Sequence, residues 1–317
     1  VFRDLSANLT LVVADSSHEK QGELLELVGG VAAASPKIEL RVEGPRVPDL
    51  SLALLKDGQP TGVRFRGVPG GHELTSLVLA LLHADGRGKL PDAAVRERVA
   101  GLRGPAALRT YVSLSCQNCP DVVQALNLMA LLHPELSNEL VDGELYPAEV
   151  DALGLQGVPA VVLDGKVLHV GRASFVELLS LLERTLGRRE PASSREPASV
   201  RHYDVVVLGG GPAGVSAAVY SARKGLKTAI VAEKLGGQVS ETLGIENLIG
   251  TPYTEGARLV ADLEKHARSY PIDLLTHRRV ARVTRGERIE LTIEGGERLA
   301  ATSLIVAADI ILVVSMV

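Results

Sequence analysis

The pattern of hydrophobic and polar positions predicts an alternating series of strands and helices from residue 106 to residue 186. Short β-branched runs predict strands, and longer segments with apolar residues every three or four positions predict helices. The predicted elements are strand 110–114, helix 121–133, strand 138–141, helix 147–153, strand 160–163, strand 167–170 and helix 174–186. Asp164-Gly165 supplies a hairpin turn between the last two strands, and Ser174 with Glu177 forms a capping box at the start of the last helix.

Residues 1 to about 90 repeat this order more loosely. The elements predicted there are strand 10–14, helix 19–28, strands 38–42, 50–55 and 63–66, and helix 72–83. Val47-Pro48 precedes a strand in this segment, as Val158-Pro159 does in the later one. The shared order is that of the thioredoxin fold, so we interpret residues 1–95 and 96–186 as tandem thioredoxin-like units.

The two cysteines of the chain, Cys116 and Cys119, lie between a predicted strand and a predicted helix. Unsatisfied backbone N–H groups and the dipole at the start of that helix favour an anion, and a thiolate is such an anion. We therefore predict a redox-active dithiol, in which Cys116 attacks a disulfide and Cys119 resolves the mixed disulfide. The first unit carries Asp15-Ser16-Ser17-His18 at the matching position, so it cannot exchange disulfides and is expected to support the second unit.

Two other interpretations of the cysteine pair are half of a zinc site and a structural disulfide. Zinc needs four ligands, and the eight histidines show no spacing typical of a second ligand pair, so no metal is expected. A disulfide across two intervening residues closes a loop too short to constrain the unfolded chain much.

Pro159 is a second candidate for the dithiol site. An isolated X-Pro bond is usually trans. The thioredoxin fold, however, places a cis-proline facing the dithiol just before its third strand, which is where Pro159 lies. We therefore expect Pro159 to face Cys116 and to leave a backbone edge open for a substrate peptide.

A third segment, residues 201–317, follows a polar stretch rich in Pro and Ser, residues 187–200, which predicts a linker. Its pattern predicts strand 203–208, a glycine-rich turn at 209–214, helix 215–224 and strand 228–232. Strand, glycines and helix in this order predict a Rossmann-like dinucleotide-binding domain, so the whole chain is of the α/β class.

Each glycine of the turn has a predicted role. Gly209 allows the tight turn, Gly211 lets the backbone approach a pyrophosphate, and Gly214 lets the helix pack on the strand. Glu233 closes the next strand at the distance expected of an acid that binds ribose hydroxyls.

The following residues identify the dinucleotide by resemblance. Gly-Gly-Gly-Pro-Ala-Gly at 209–214, Gly-Gly-Gln at 236–238 and Glu-Asn at 246–247 resemble the FAD-binding half of the thioredoxin-reductase-like flavoproteins. The FAD-binding residues that this resemblance implies are Gly209, Gly211, Pro212, Ala213, Gly214, Glu233, Gly237, Gln238 and Asn247.

Tandem thioredoxin-like units, a linker and such a flavin domain together resemble the family of alkyl hydroperoxide reductase F subunits. The segments that carry this resemblance are 69–82, 115–127 and 220–225. It implies electron flow from NADH to FAD, to a dithiol beside the flavin, to Cys116 and Cys119, and then to the disulfide of a peroxiredoxin, the C subunit, which reduces the peroxide. It also implies that Glu73 lies near the dithiol, where a carboxylate handles protons or tunes the thiols. An acid that only complements the helix dipole is the alternative for Glu73.

Composition limits the remaining function classes. With 317 residues, 46% of them hydrophobic, the chain forms two or three domains of ordinary size. A net charge of −4, an aromatic content of 3% and the lack of Trp argue against nucleic-acid and membrane surfaces. We expect a cytoplasmic protein, because no leader pattern opens the sequence and a cycling dithiol suits a reducing compartment. A full-length form is expected to be a homodimer.

The sequence departs from the family at residues 307–309, where Ala-Ala-Asp stands in place of Ala-Thr-Gly. The resemblance places the NADH-binding domain and the flavin-proximal dithiol beyond that point, so we expect an incomplete flavin domain and a truncation or a shifted reading frame. The apolar residues from Leu304 onward predict a buried strand. Two alternatives to the flavoenzyme stay open here: a flavin-independent dithiol carrier and an inactive fragment that binds partners.

Overall fold

A computed structural model describes residues 1–189 and 200–308. The chain divides into two compact units, residues 1–190 and 191–317, which are described separately below. Most of the predicted linker, residues 190–199, and the last nine residues, 309–317, lie outside the described residues.

The first unit has eight strands in one sheet. They are β1 (Leu9–Ser16), β2 (Ile38–Val47), β3 (Leu52–Lys56), β4 (Gln59–Arg66), β5 (Ala106–Val112), β6 (Leu136–Asp142), β7 (Ala160–Leu163) and β8 (Lys166–Val170). The helices are α1 (Gln21–Ala33), α2 (Leu74–Ala84), α3 (Ala93–Ala100), α4 (Cys119–Leu132), α5 (Pro147–Ala152) and α6 (Phe175–Leu186), and a 3-10 turn, Gly71–Glu73, precedes α2.

The sheet is built from two halves with the same internal order. The strand order is β2-β1-β3-β4-β6-β5-β7-β8. Within each half, β1–β4 or β5–β8, the second strand lies at one edge, followed by the first, the third and the fourth. In each half the first two strands are parallel, and the third pairs antiparallel with the first. The tandem thioredoxin-like fold is therefore confirmed, and the parallel pairing of β4 with β6 joins both halves into one sheet.

Helix α4 is buried on nearly all sides because it packs in both cores of this unit. Cys119, Val123 and Ala130 belong to the core that the first half dominates. Other positions of α4, including Val122 and Met129, belong to the core beneath α6. A helix that is apolar around most of its circumference is expected at such a central position.

Local signals explain several helix boundaries. The capping box at α6 is present, since Ser174 accepts from the backbone of Glu177 and Glu177 reaches back to the backbone of Ser174. Helix α3 was missed by the pattern analysis although Asp92 caps it by accepting from Val95 N–H at 3.2 Å. The first residues of the predicted linker are paired instead, because Leu102 and Arg188 form an antiparallel bridge.

The second unit is a six-stranded sheet with helices α7 (Pro212–Arg223) and α8 (Gly256–Arg268). Its strands are β9 (Arg201–Leu208), β10 (Thr228–Val231), β11 (Ile272–Leu275), β12 (Val280–Arg285), β13 (Ile289–Ile293) and β14 (Arg298–Val306). The order is β11-β10-β9-β14-β13-β12, and the first four strands are parallel. Alternate residues of β9 enter opposite cores: Val207 packs in the core that includes α7, and Val206 in the other. The predicted Rossmann-like fragment is confirmed.

The apolar run that begins at Leu304 is only partly as predicted. Residues 304–306 continue β14 as a strand paired with β9. However, Ile305 and Val306 are exposed, because the pairing of β13 with β14 ends at Ala301 and does not reach them. The prediction of a buried strand is wrong for these residues.

Across residues 1–189 and 200–308, we find no helix with the length and apolarity needed to cross a bilayer.

Candidate active site

Cys116 and Cys119 form a disulfide at the start of α4, with their Cα atoms 5.5 Å apart. A turn closed by a hydrogen bond from Cys116 N–H to Ser113 O (3.0 Å) carries the chain from β5 to the helix. Cys119, the first residue of α4, is fully buried, whereas Cys116 is half-buried. An incoming thiol therefore reaches the sulfur of Cys116 first, and the N-terminus of α4 favours the thiolate that forms on reduction.

The backbone before β7 lies beside this sulfur. Cys116 Sγ is 4.0 Å from Val158 O, and the Val158-Pro159 peptide bond is cis. Val158 is exposed, and Pro159 O accepts from Gly171 N–H at 2.8 Å. The structure thus places the Val158 carbonyl, which directly precedes the buried Pro159, beside Cys116 Sγ.

Glu73 is a buried carboxyl at the end of the 3-10 turn before α2. Its side chain is fully buried, and Ser76 Oγ donates to Glu73 Oε2 at 2.6 Å. Glu73 Oε1 has no hydrogen-bond partner among the described residues. Burial raises the pKa of Glu73 to about 7, against the smaller opposing effect of the Ser76 hydrogen bond. A carboxyl with this pKa exchanges protons near neutral pH.

Hydrogen bonds tie the Glu73 segment to both sides of the cysteine turn. On one side, His72 N–H donates to Leu114 O at 3.3 Å, two residues before Cys116. On the other side, Gln124 Nε2 on α4 donates to Ser76 Oγ at 3.3 Å. No motif in the sequence singles out Ser76 or Gln124. The spacing of Ser76, three residues after Glu73 on a helix, is the signal that could have indicated the first of them.

The turn of the first half that matches the cysteine turn is closed by its own backbone. Ser17 N–H donates to Val47 O at 2.8 Å, and Ser16 Oγ donates to Pro48 O at 3.4 Å. The Val47-Pro48 bond is not cis, in contrast to Val158-Pro159. The first half therefore has neither a sulfur nor an open backbone at this position.

In the second unit, the glycine-rich turn connects β9 to α7. Gly209 has φ +116°, and a Cβ on Gly214 would lie 2.0 Å from Gly209 O, so both positions require glycine. Gly211 caps α7 at its N-terminus, and a Cβ there would meet only Gly236 O, at 4.0 Å. Pro212 and Ala213 form the first turn of the helix. The side of Gly211 where a side chain would stand is therefore not filled by other residues, which lets a ligand approach the backbone there.

The other predicted FAD-binding residues follow β10. Glu233 lies two residues after the end of that strand, and its carboxylate accepts from Arg279, which the sequence pattern does not indicate. Gly237 begins a 3-10 turn, Gly237–Glu241, and Gln238 in that turn is exposed. Asn247 is exposed in the following loop. Glu233 and the glycine-rich turn thus lie near the carboxyl ends of adjacent parallel strands, where such folds bind nucleotides. Gly237 lies beside them, since a Cβ on Gly237 would be 3.7 Å from Gly211 Cα.

These features define the class of protein: an oxidoreductase-type chain with a thioredoxin-fold dithiol unit and a Rossmann-type fragment. Residues 109–183 match the thioredoxin domain family, and residues 204–297 match the FAD dependent oxidoreductase family. The NTD_N/C domain of alkylhydroperoxide reductase AhpF from Enterococcus faecalis superimposes with a TM-score of 0.52 at 30% identity, over 56% of this chain and 92% of that domain.

Curated relatives extend the similarity to almost the whole chain. The alkyl hydroperoxide reductase F subunit of Pseudomonas aeruginosa is 41% identical over 96% of this chain. A Bacillus subtilis protein named NADH dehydrogenase is 41% identical over 95% of it. The chain belongs to the family of alkyl hydroperoxide reductase F subunits, as the motifs indicated. It spans 58% of the length of each of these two relatives.

Proposed function

We propose that the chain is the electron-delivering part of a flavin-dependent disulfide reductase that draws electrons from NAD(P)H and reduces the disulfide of a peroxiredoxin. The observation that carries this proposal is the position of the dithiol. Cys116, half-buried beside the exposed residue Val158, is available to a partner, and the fully buried Cys119 is not. The names of the relatives and the FAD dependent oxidoreductase match support the choice of cofactor and partner.

The residues of the second unit fit FAD. The N-terminus of α7, where a Cβ on Gly211 would meet only Gly236 O at 4.0 Å, would hold the pyrophosphate, and Glu233 would hold the ribose hydroxyls. Gly237, Gln238 and Asn247 would lie along the rest of the dinucleotide. When bound, FAD supplies the two-electron transfer between a nicotinamide nucleotide and a dithiol.

The dithiol reaction needs only the two cysteines and the partner's disulfide. In the reduced chain, the Cys116 thiolate attacks one sulfur of the partner's disulfide, so that a mixed disulfide forms and one partner thiolate leaves. The Cys119 thiolate then attacks Cys116 Sγ and releases the second partner thiolate. The partner gains two electrons, and the chain returns to the Cys116–Cys119 disulfide seen in the structure.

We assign the proton handling in this exchange to Glu73. Its buried carboxyl has a pKa of about 7, so it is poised to give up or take up a proton at neutral pH. Its neighbours are hydrogen-bonded to both flanks of the cysteine turn through Leu114 and Gln124. Pro159 keeps the Val158 backbone next to Cys116, where an extended segment of the partner would pair with it.

We further propose that the reaction takes place in the cytoplasm and that the full-length protein is a homodimer. A reducing compartment keeps a cycling dithiol in use, which supports the first point. Residues 1–95 and 96–186 act in this proposal as a support unit and a redox unit, joined by residues 187–200 to the flavin-binding unit, residues 201–317.

Single-turnover transfer from the reduced chain to an oxidised peroxiredoxin tests the function. Rapid quenching and gel analysis follow the partner's thiols, and flavin absorbance is recorded on the same sample. C116S should abolish transfer, whereas C119S should trap a mixed disulfide with the partner. S17A, in the matching turn of the first half, is the control and should transfer at the rate of the unaltered chain.

Each result separates the parts of the proposal. No transfer from a fully reduced chain contradicts the assignment of the partner. Transfer from a chain that binds no FAD supports the dithiol carrier and contradicts flavin binding by these residues. Equal loss in C116S and C119S without a trapped species contradicts the order of the two cysteines.

A further inference from the structure

We propose that Arg279 is a positioning residue, which orients Glu233 toward the ribose of the bound dinucleotide. This inference rests on the proposed FAD binding by the second unit and adds a residue that the motif pattern does not contain. Arg279 lies 46 positions after Glu233, beyond the reach of any local sequence signature.

Arg279 contacts only one of the two carboxylate oxygens of Glu233. Arg279 Nε and Nη2 both bind Glu233 Oε1, at 2.8 and 2.6 Å. Glu233 Oε2 accepts no hydrogen bond from the residues that the structure describes. Because both nitrogens contact Oε1, Oε2 keeps its capacity to accept a hydrogen bond from a hydroxyl. The ribose of a dinucleotide offers hydroxyl donors of this kind.

Backbone hydrogen bonds hold both partners of this pair in place. His277 N–H donates to Glu233 O at 3.0 Å, and Arg278 N–H donates to Ala232 O at 3.2 Å. On the other side, Glu294 N–H donates to Arg279 O at 2.9 Å. The turn between β11 and β12 is therefore attached directly to the end of β10, and Arg279 has a defined position relative to Glu233.

The pair also lies beside the glycine-rich turn. A Cβ on Gly210 would be 2.5 Å from Lys234 O, the residue after Glu233, and Gly236 N–H donates to Gly210 O at 2.7 Å. The Glu233 carboxylate is thus on the same edge as the site for a pyrophosphate. Arg279 compensates the negative charge that would otherwise oppose a dinucleotide diphosphate.

The expected effect is moderate, because about a third of each side chain is exposed. For such a pair we expect R279A to weaken FAD binding about fivefold. R279K should recover only part of this loss, because one ammonium group does not supply the two rigidly linked nitrogens that contact Oε1. R282A removes an exposed arginine three residues further on, which has no part in the proposed site, and should leave affinity unchanged.

The test is a double-mutant cycle on the full chain, with FAD and ADP as probes. Affinities are measured by flavin fluorescence quenching for FAD and by calorimetry for ADP, and circular dichroism checks that each variant is folded. R279A should weaken both probes in the unaltered chain, but should have no further effect when Glu233 is already replaced in E233Q. That coupling identifies an action through Glu233, which a general structural role would not produce.

Three results overturn the inference. Unchanged affinity in R279A removes the role of Arg279 alone and leaves FAD binding intact. If R279A causes the same loss of affinity in the unaltered chain and in E233Q, Arg279 acts on the ligand or the fold independently of Glu233. Failure of the unaltered chain to bind either probe overturns the proposed FAD binding together with this inference. This result differs from the first one, in which FAD still binds and only the role of Arg279 is lost.

Discussion

Replacing Glu73 by Gln should remove a large part of the pH dependence of the stability of this chain. The carboxyl is fully buried, and its pKa rises from 4.5 to about 7 because burial penalises the ionised form. At about 1.4 kcal/mol for each tenfold change in proton affinity, this rise corresponds to roughly 3 kcal/mol.

The sign of the effect follows from the two protonation equilibria of Glu73. Below pH 4.5 the carboxyl is protonated in both the folded and the unfolded chain, so the folded state carries no penalty. Above pH 7 it is ionised in both, and the folded chain holds a buried charge. Glu73 therefore lowers the free energy of unfolding progressively as the pH rises through this interval, and the full penalty applies above pH 7.

Urea unfolding of the oxidised chain, followed by circular dichroism at several pH values between about 5 and 8, measures this effect. Relative to E73Q, the unaltered chain should lose about 2–3 kcal/mol across that range. The change with pH is compared, and not the absolute stability, because a buried amide has its own cost of unmade hydrogen bonds. E26Q, which alters an exposed glutamate on α1, is the control and should follow the unaltered chain.

Parallel curves for the unaltered chain and E73Q would refute the reasoning, because they would mean that Glu73 does not titrate near neutral pH. A carbon-13 titration of labelled glutamate carboxyls gives the pKa of Glu73 directly in the same chain. S76A should raise that pKa further, since the Ser76 hydrogen bond stabilises the ionised form. A lower pKa in S76A would show that the hydroxyl does not act on the carboxylate in this way.

Two further predictions concern single contacts in each unit. E183Q should destabilise the first unit by about 3 kcal/mol in urea unfolding. The guanidinium of Arg98 donates to the two Glu183 oxygens at 3.1 and 2.9 Å, and in E183Q it would stay buried without its counter-charge. A loss of stability below about 0.5 kcal/mol would contradict this. G214A should lower the stability of the second unit by about 2 kcal/mol in thermal unfolding and should weaken FAD binding, because the new methyl group would collide with Gly209 O. Unchanged flavin affinity would argue against this packing as part of the site.

Much of the fold was predictable because each half of the first unit has strong local signals. The residues of β7, 160–163, coincide with the predicted strand, and the capping box of α6 is present as its sequence indicates. Helix α3 was missed because it is short and has only a weak apolar period, so its Asp92 cap alone marks it. The Gly209–Gly214 turn was predictable because strand, glycine spacing and helix follow each other without a gap.

The sequence by itself determined the chemistry: two cysteines at a helix start, a proline before the third strand, and a glycine-rich turn with an acid at the next strand end. Local spacing and backbone geometry are enough for these features, since their parts lie close together along the chain. The tertiary structure alone decided how deeply each sulfur is buried, and it alone joined both halves through β4 and β6. It also raised the pKa of Glu73 by burial and brought Arg279 to Glu233. Burial and contacts between distant residues depend on how whole elements pack, and no local pattern carries that information.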